Sequence, residues 1–465
     1  MRAAQTEYNF DWSLHSLFAT ASRVADGTPK EFERMARRIP DFKGVIEPVM
    51  AQGEAGKNFL KGVGAYLNKI LTAHDQGKKL CMTTFCQSPA ILYAMDVIPI
   101  SLEPMTVAGT LVKNGGTGEF MDYCVEAGFT ETSCSSQRGA MGAYLAGLCE
   151  QPDFVLIDTP GICDTNANSF SFFSAYMDIP FYQINYPPTL TDDRATGYHR
   201  ADFRHMIAFL EEQTGRKLDL DKLREILIEQ EKQDAIICEL QDVQRLIPNP
   251  VPVLFNFFLY AGRFMMGGQP ECTELLQSML DIAKANAREG KSGLLSGRED
   301  IRGLFVYIDH YAANIPLWNF LESRNITHLG GILDRFYQDG APYTQPGEGY
   351  TTSTSDLDSM IDTLAAQNSR MPMVKQIRGP YDAPNMWLDE AKGLAELYSV
   401  DFAVYSGTPG CRNTWGMVKL LVRDLERSGL PTFVVNADAF DDRVESWDQT
   451  QNRFEEFLDL RRIGK

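Results

Sequence analysis

The sequence predicts an α/β chain of two lobes, each built on a parallel sheet, joined by a helical segment. Three observations predict it. Short apolar runs such as "KKLCMTTF" and "PDFVLID" alternate with helix-patterned stretches of about ten residues, the grammar of a parallel sheet with crossover helices. That grammar stops near residue 195, gives way to long amphipathic helical pattern, and resumes near residue 300. Two strand-end turns, "DTPGIC" in the first stretch and "SGTPGC" in the second, are near copies. The two lobes share a rhythm, yet no repeat of solenoid length is visible.

The elements follow in order. Residues 1–78 read as an N-terminal helical region, from "PKEFERMARRIPDF" and "GKNFLKGVGAYLNKILTAHDQGKK". Residues 79–195 form the first lobe. There "KKLCMTTF", "IPISLEPM", "PDFVLID" and "IPFYQINYPP" read as strands, and "SPAILYAMDV", "CSSQRGAMGAYLAGL" and "NSFSFFSAYMD" as helices. Residues 196–299 are the helical segment, with one long helical run from Tyr198 to Ile247 and a second at "CTELLQSMLDIAKANAREG". Residues 300–465 form the second lobe. Its strands are "IRGLFVYIDH", "ITHLGGIL", "VDFAVYSG" and "LPTFVVNADAF". Its helices are "PLWNFLESRN", "SDLDSMIDTLAAQNS", "APNMWLDEAKGLAELYS" and a run starting near Thr414.

Composition narrows the function. A net charge of −18 leaves no basic surface for nucleic acid. The apolar run "VPVLFNFFLYAGRFMMGG" is interrupted by Pro252, Asn256 and Arg263, so a buried helix is expected rather than a membrane span. The N-terminus lacks the apolar core and cleavage site of a signal peptide, and a cytoplasmic protein is expected. No GxxxxGK[ST] loop, strand-linked GxGxxG or GxSxG elbow occurs, so no ATP site, dinucleotide fingerprint or hydrolase nucleophile is expected. The six histidines make no HExxH or i,i+4 pair.

Nine cysteines without a CxxC pair argue for reduced thiols. For each one, the plain reading is a small buried hydrophobe. Cys81 sits within a strand, and Cys124, Cys149, Cys238 and Cys272 on helical stretches, so they keep that reading. Cys86 is ambiguous. Cys163 and Cys411 stand in the matched turns between strand and helix. Cys134 falls in the first turn of a helix capped by Thr132 or Ser133. Open sheets of this Rossmann- or flavodoxin-like kind bind ligands beyond the carboxyl ends of their strands, so the three thiols can meet in the cleft between the lobes. A helix N-terminus lowers a thiol pKa and favours thiolate. Three thiolates suit an open zinc site or an iron–sulfur cluster with one open iron, and spacing does not choose between them.

Three blocks carry a resemblance: "TSCSSQRGAMGAYLAG", "PDFVLIDTPGICDTN" continuing to "IPFYQINYP", and "GCRNTWGMVKLLVRDLERSGLPTFVVNADAFDDR". In this order they resemble the 2-hydroxyacyl-CoA dehydratase and benzoyl-CoA reductase family, over roughly residues 75–465. The resemblance implies a [4Fe–4S] cluster ligated by Cys134, Cys163 and Cys411. It implies reversible, syn-type loss of water from a 2-hydroxyacyl-CoA through a ketyl radical formed by one strongly reducing electron. Glu103 occupies the family's glutamate position and is expected to act as base or to orient the hydroxyl. Thr84, or its neighbour Thr83, is a candidate donor to the thioester oxygen. Each also has a plain reading, a solvated carboxylate for Glu103 and a strand-face hydroxyl for the threonines. The resemblance implies an acyl-CoA substrate, a second homologous subunit in a heterodimer, and a separate ATP-hydrolysing iron–sulfur activator. The rival expectations are a benzoyl-CoA-reductase-type subunit, a non-catalytic electron-relay or scaffold subunit, and a zinc–thiolate protein.

Overall fold

The computed structural model describes residues 9–25, 27, 30, 33–34, 37, 40–85, 87–112, 117–158, 163–185, 193–306, 315–331, 351–368, 386–407 and 411–464. The chain opens with helices α1 (Phe10–Ala25), α2 (Pro40–Met50) and α3 (Gly53–Thr72). The first lobe runs β1 (Lys79–Thr83), α4 (Ala90–Ala94), β2 (Val97–Ser101), α5 (Leu102–Val112), α6 (Gly118–Ala127), α7 (Ser135–Leu145), β3 (Phe154–Ile157), α8 (Asp164–Met177) and β4 (Phe181–Gln183). Helices α9 (Asp193–Thr214), α10 (Leu220–Val243), α11 (Phe255–Met266) and α12 (Pro270–Glu289) follow. The second lobe runs β5 (Ile301–Phe305), α13 (Ile315–Ser323), β6 (Ile326–Gly331), α14 (Leu357–Asn368), α15 (Met386–Leu397), β7 (Phe402–Tyr405), α16 (Arg412–Arg427), β8 (Thr432–Val434) and α17 (Trp447–Arg461).

Among the described residues each lobe carries a four-stranded parallel sheet, and the strand orders correspond: β2-β1-β3-β4 and β6-β5-β7-β8. In each, the chain starts at an inner strand, moves outward, then crosses back. The direction of winding therefore reverses between β1 and β3, and again between β5 and β7. The crevice beyond the ends of those strands is where such sheets receive ligands. Strands β1, β2, β3, β5 and β7 are almost wholly buried, which explains their unbroken apolar pattern.

Three details depart from the sequence expectations. The strand read over "IPISLEPM" ends at Ser101, and Leu102-Glu103-Pro104 begin α5. A proline is tolerated in a first helical turn, where its missing N–H has no helical partner to lose. The long run from Tyr198 is two helices, broken where Gly215 adopts φ +66° and Asp219 caps α10 through Asp221 and Lys222. The N-terminal helices are not merely polar. Helix α3 packs between α1 and the pair α11 and α12, with Phe59 stacked on Phe258 at 4.4 Å. Helix α11 is buried, as expected, and no described helix is long and apolar enough to cross a membrane.

Helix α7 sits unusually close to its neighbours. A Cβ on Gly142 would lie 2.0 Å from the Phe120 carbonyl oxygen, so only glycine fits there. Thr106 of α5 inserts its hydroxyl into the α7 ladder, accepting from Ala140 N at 2.9 Å and donating to Ser136 O at 2.6 Å. It stands in for one helical rung and locks α7 against α5.

Asp11 in the first turn of α1 is fully buried, accepting from Glu150 N at 2.8 Å and Tyr144 Oη at 3.2 Å. Burial pushes its carboxyl up to about 7. The folded state therefore binds this proton more tightly than the unfolded chain does. The associated stability is full below about pH 4 and is lost as pH rises through about 7, at about 1.4 kcal/mol per unit of displacement. Urea midpoints are expected to fall between pH 5 and pH 8. In Asp11→Asn that slope is expected to flatten, and an unchanged slope would show that Asp11 is ionised in the fold.

Candidate functional site

Three helices of the two lobes begin at a cysteine. Cys134 is the N-cap of α7 (φ −61°, ψ 131°), Cys163 of α8 (φ −136°, ψ 105°) and Cys411 of α16 (φ −87°, ψ 108°). Each has the extended backbone of a cap residue, and the Cys163 side chain turns back to accept from the first helical turn. Cys134 is thus the cap itself, rather than a first-turn residue capped by Thr132 or Ser133, and α16 starts at Arg412 rather than near Thr414. Asn166 N donates to Cys163 Sγ at 3.4 Å, and Ser136 Oγ lies 3.1 Å from Cys134 Sγ. Cys163 and Cys411 follow β3 and β7, the third strand of each sheet. The near-copy turns are therefore topological equivalents. Their residues 159–162 and 408–410 lie outside the described residues, as does Cys86.

The three thiols sense one another. Burial pushes Cys134 up to about 12, and the neighbouring Cys411 adds to the shift. Burial raises Cys163 still further, with Cys411 and Cys134 adding to it. For Cys134 and Cys163 the expectation that a helix N-terminus would favour thiolate is thus reversed: the cost of burying an anion outweighs the helix dipole. Cys134 and Cys163 are thus held toward the neutral thiol, and a cationic centre would supply the charge that compensates their thiolates. Among the described residues, no three Cys, His, Asp or Glu side chains gather tightly enough for one shared metal ion. Cluster ligands each hold a different iron, so their sulfurs need not converge on one point. The donor set, three soft sulfurs from three helix caps, fits such a group.

Beside the thiols lies a buried carboxylate. Glu103, in the first turn of α5, is fully buried. Phe85 N donates to its Oε2 at 3.0 Å, and Gln137 Nε2 and Asn166 Nδ2 donate to its Oε1 at 3.1 and 3.2 Å. Gln137 stands three residues after Cys134, and Asn166 three after Cys163. The first turn of each helix therefore presents a thiol at its cap and an amide to Glu103. Asp158, at the end of β3, is also fully buried. It accepts from Thr84 Oγ1 at 3.2 Å and Asn368 Nδ2 at 3.5 Å. Consecutive residues Thr84 and Phe85, just past β1, thus grip the two carboxyl groups. Burial pushes both up to about 7, and the Glu103 charge contributes to the Asp158 shift. Two adjoining buried carboxyls moved into the neutral range make this a candidate functional site.

The lobes close over this site. Asn368 Oδ1 accepts from Ser88 N at 3.2 Å, and Ser135 Oγ donates to Asp438 Oδ1 at 2.6 Å. On the outer side, a cleft of about 760 Å³ reaches Cys411 between Phe129, Phe172 and Trp415.

The structure thus brings Cys134, Cys163 and Cys411 into one neighbourhood and sets Glu103 beside them, buried rather than solvated. Thr84 directs its hydroxyl to Asp158, whereas Thr83 Oγ1 is buried with no partner among the described residues. Cys81, Cys124, Cys238 and Cys272 are ordinary buried thiols within their strand or helices, and Cys149 is buried in a bend beyond α7 rather than on a helix. The sequence reading missed Asp158, Gln137, Asn166 and Asn368. The signal available for two of them was the shared spacing, an amide three residues after a candidate thiol.

Two linked parallel-sheet lobes with cysteine-capped helices around a buried glutamate define a class of thiol-bearing α/β proteins with an enclosed pair of carboxyl groups. Residues 86–460 match the family of the 2-hydroxyglutaryl-CoA dehydratase D-component, and the chain belongs to that family. It is 23% identical over 397 residues to the (R)-phenyllactyl-CoA dehydratase alpha subunit of Clostridium sporogenes, covering 83% of this chain and 90% of the relative. It is 21% identical over 427 residues to a benzoyl-CoA reductase subunit of Thauera aromatica, covering 84% and 91%. The relatives are thus subunits of dehydratases and reductases that act on acyl-CoA thioesters.

Proposed function

We propose that this chain is a subunit of an (R)-2-hydroxyacyl-CoA dehydratase, working in the cytoplasm with a second homologous subunit and a separate ATP-hydrolysing iron–sulfur activator. The observation that carries the reading is the convergence of three helix-capping thiols with the buried, amide-held Glu103. Cys134, Cys163 and Cys411 would hold a [4Fe–4S] cluster in the cleft between the lobes. When bound, such a cluster supplies a low-potential electron and a Lewis-acidic iron.

The chain's own residues supply the rest. Burial around Glu103 excludes water from a reactive intermediate. Glu103, near neutrality, can carry a proton to the leaving oxygen and take one from the β-carbon. Protonated Asp158 can donate to Thr84 Oγ1, which frees the threonine's own proton for the thioester oxygen. The similarity to the Thauera aromatica benzoyl-CoA reductase supports a second reading, ATP-dependent reduction of an aromatic acyl-CoA.

The test is turnover by the anaerobic complex supplied with a low-potential one-electron donor. Conversion of 2-hydroxyacyl-CoA to 2-enoyl-CoA without net consumption of reductant is expected. Stoichiometric consumption of reductant with an aromatic acyl-CoA, and none of the dehydration, would favour the reductase reading.

A further inference from the structure

Two buried acceptor atoms beside Glu103 have no partner. Gln137 and Asn166 both spend their amide NH₂ on Glu103 Oε1, at 3.1 and 3.2 Å. That fixes the orientation of each amide and turns its carbonyl oxygen away from the carboxylate. Both oxygens, Gln137 Oε1 and Asn166 Oδ1, are buried with no hydrogen-bond partner among the described residues. The two residues are themselves 2% and 0% exposed. A lone unsatisfied acceptor is a local defect. Two on adjacent helices, tied to one carboxylate oxygen at the ends of the strands, describe a place for a donor. Thr106 holds α7 to α5 and so fixes the backbone that carries Gln137.

The choice of donor follows from the surroundings. A neutral O–H donor brings no charge into this buried place, so it needs no counter-ion beside Glu103. A neutral O–H group fits. An alcohol offers one such proton, and a water molecule offers two, one for each acceptor.

We propose that Gln137 and Asn166 form the leaving-oxygen subsite, receiving the substrate's 2-hydroxyl and binding it more tightly as it becomes water. This rests on the dehydratase reading given above. The C2–O bond breaks with its electron pair on oxygen, and the Glu103 carboxyl supplies the second proton. The water formed then donates to both amide oxygens, and the same carboxylate takes the β-proton. Glu103 ends as it began, and the elimination is redox-neutral. Two acceptors match the product water better than the bound hydroxyl, so they favour the bond-breaking direction. A substrate without a hydroxyl leaves both unsatisfied and is disfavoured.

The test is equilibrium binding to the anaerobic complex without reductant, so that no turnover occurs. (R)-Phenyllactyl-CoA and 2-hydroxyhexanoyl-CoA are each compared with the counterpart lacking the hydroxyl, phenylpropanoyl-CoA and hexanoyl-CoA. Wild type is expected to prefer a hydroxylated ligand by about 10- to 100-fold, the scale of one or two buried hydrogen bonds. In Gln137→Leu with Asn166→Ala the preference is expected to collapse, while the deoxy ligand binds as before and so reports an intact pocket. Asn166→Asp, which keeps an acceptor oxygen, is expected to retain most of the preference. Equal wild-type affinities within a pair would overturn the subsite and leave the functional reading standing. Failure to bind any of the four would remove both.

Discussion

Serine in place of Cys163 is expected to leave the fold intact and to strip the chain of most of its iron. Anaerobically purified wild type should carry about four iron and four sulfide per chain, the content of one [4Fe–4S] cluster. Cys163 is both the N-cap of α8 and a candidate ligand, and the serine variant separates these roles. Serine is among the best N-cap residues and can still accept from Asn166 N, so α8 should start where it does now. A hydroxyl is a harder, far less acidic donor than a thiol, and iron–sulfur centres select soft thiolate. Iron and sulfide should therefore fall sharply while circular dichroism and the urea midpoint barely move. Equal iron in both proteins would remove Cys163 from the centre. Zinc, or no metal, in anaerobically handled wild type would sink the cluster reading.

Glu103→Gln should abolish turnover without emptying the site. Gln137 and Asn166 have spare carbonyl oxygens, so their amides can rotate to receive the new NH₂ group, and Phe85 N keeps an oxygen to donate to. No thiol is touched, so iron content should match wild type. What disappears is a group able to hold and release a proton near neutrality. General acid–base catalysis is worth about 10²- to 10⁴-fold, and a loss in kcat of that size is expected. Activity within about threefold of wild type would reduce Glu103 to a structural residue.

The alternation of buried strands and helices was readable because parallel strands are apolar on both faces and are punctuated by polar turns. The matched turns before Cys163 and Cys411 were readable for a similar reason, since glycine and proline mark the exit from a strand. Other features depend on neighbours distant in sequence. Ser101 ends β2 where the residues beyond it could be read as more strand. Gln137 and Asn166 look like ordinary first-turn residues until α5 brings Glu103 between them. Asp158 reads as a turn former, and only burial beside Thr84 and Asn368 makes it a near-neutral carboxyl. The direction of the thiol shifts was misjudged because a helix end is visible in sequence, whereas the degree of burial is not.

Two of the capping thiols belong to the first lobe and one to the second. A centre bound to all three is therefore a chelate whose third arm is carried on another folded body. Its retention depends on the effective concentration of Cys411 at the first lobe, and hence on how firmly the lobes stay shut. The buried contacts Ser135–Asp438 and Asn368–Asp158 set that concentration from outside the coordination sphere. Loosening them should speed metal loss to a chelator even with every cysteine in place, so the lobe seam would act as the clasp of such a centre.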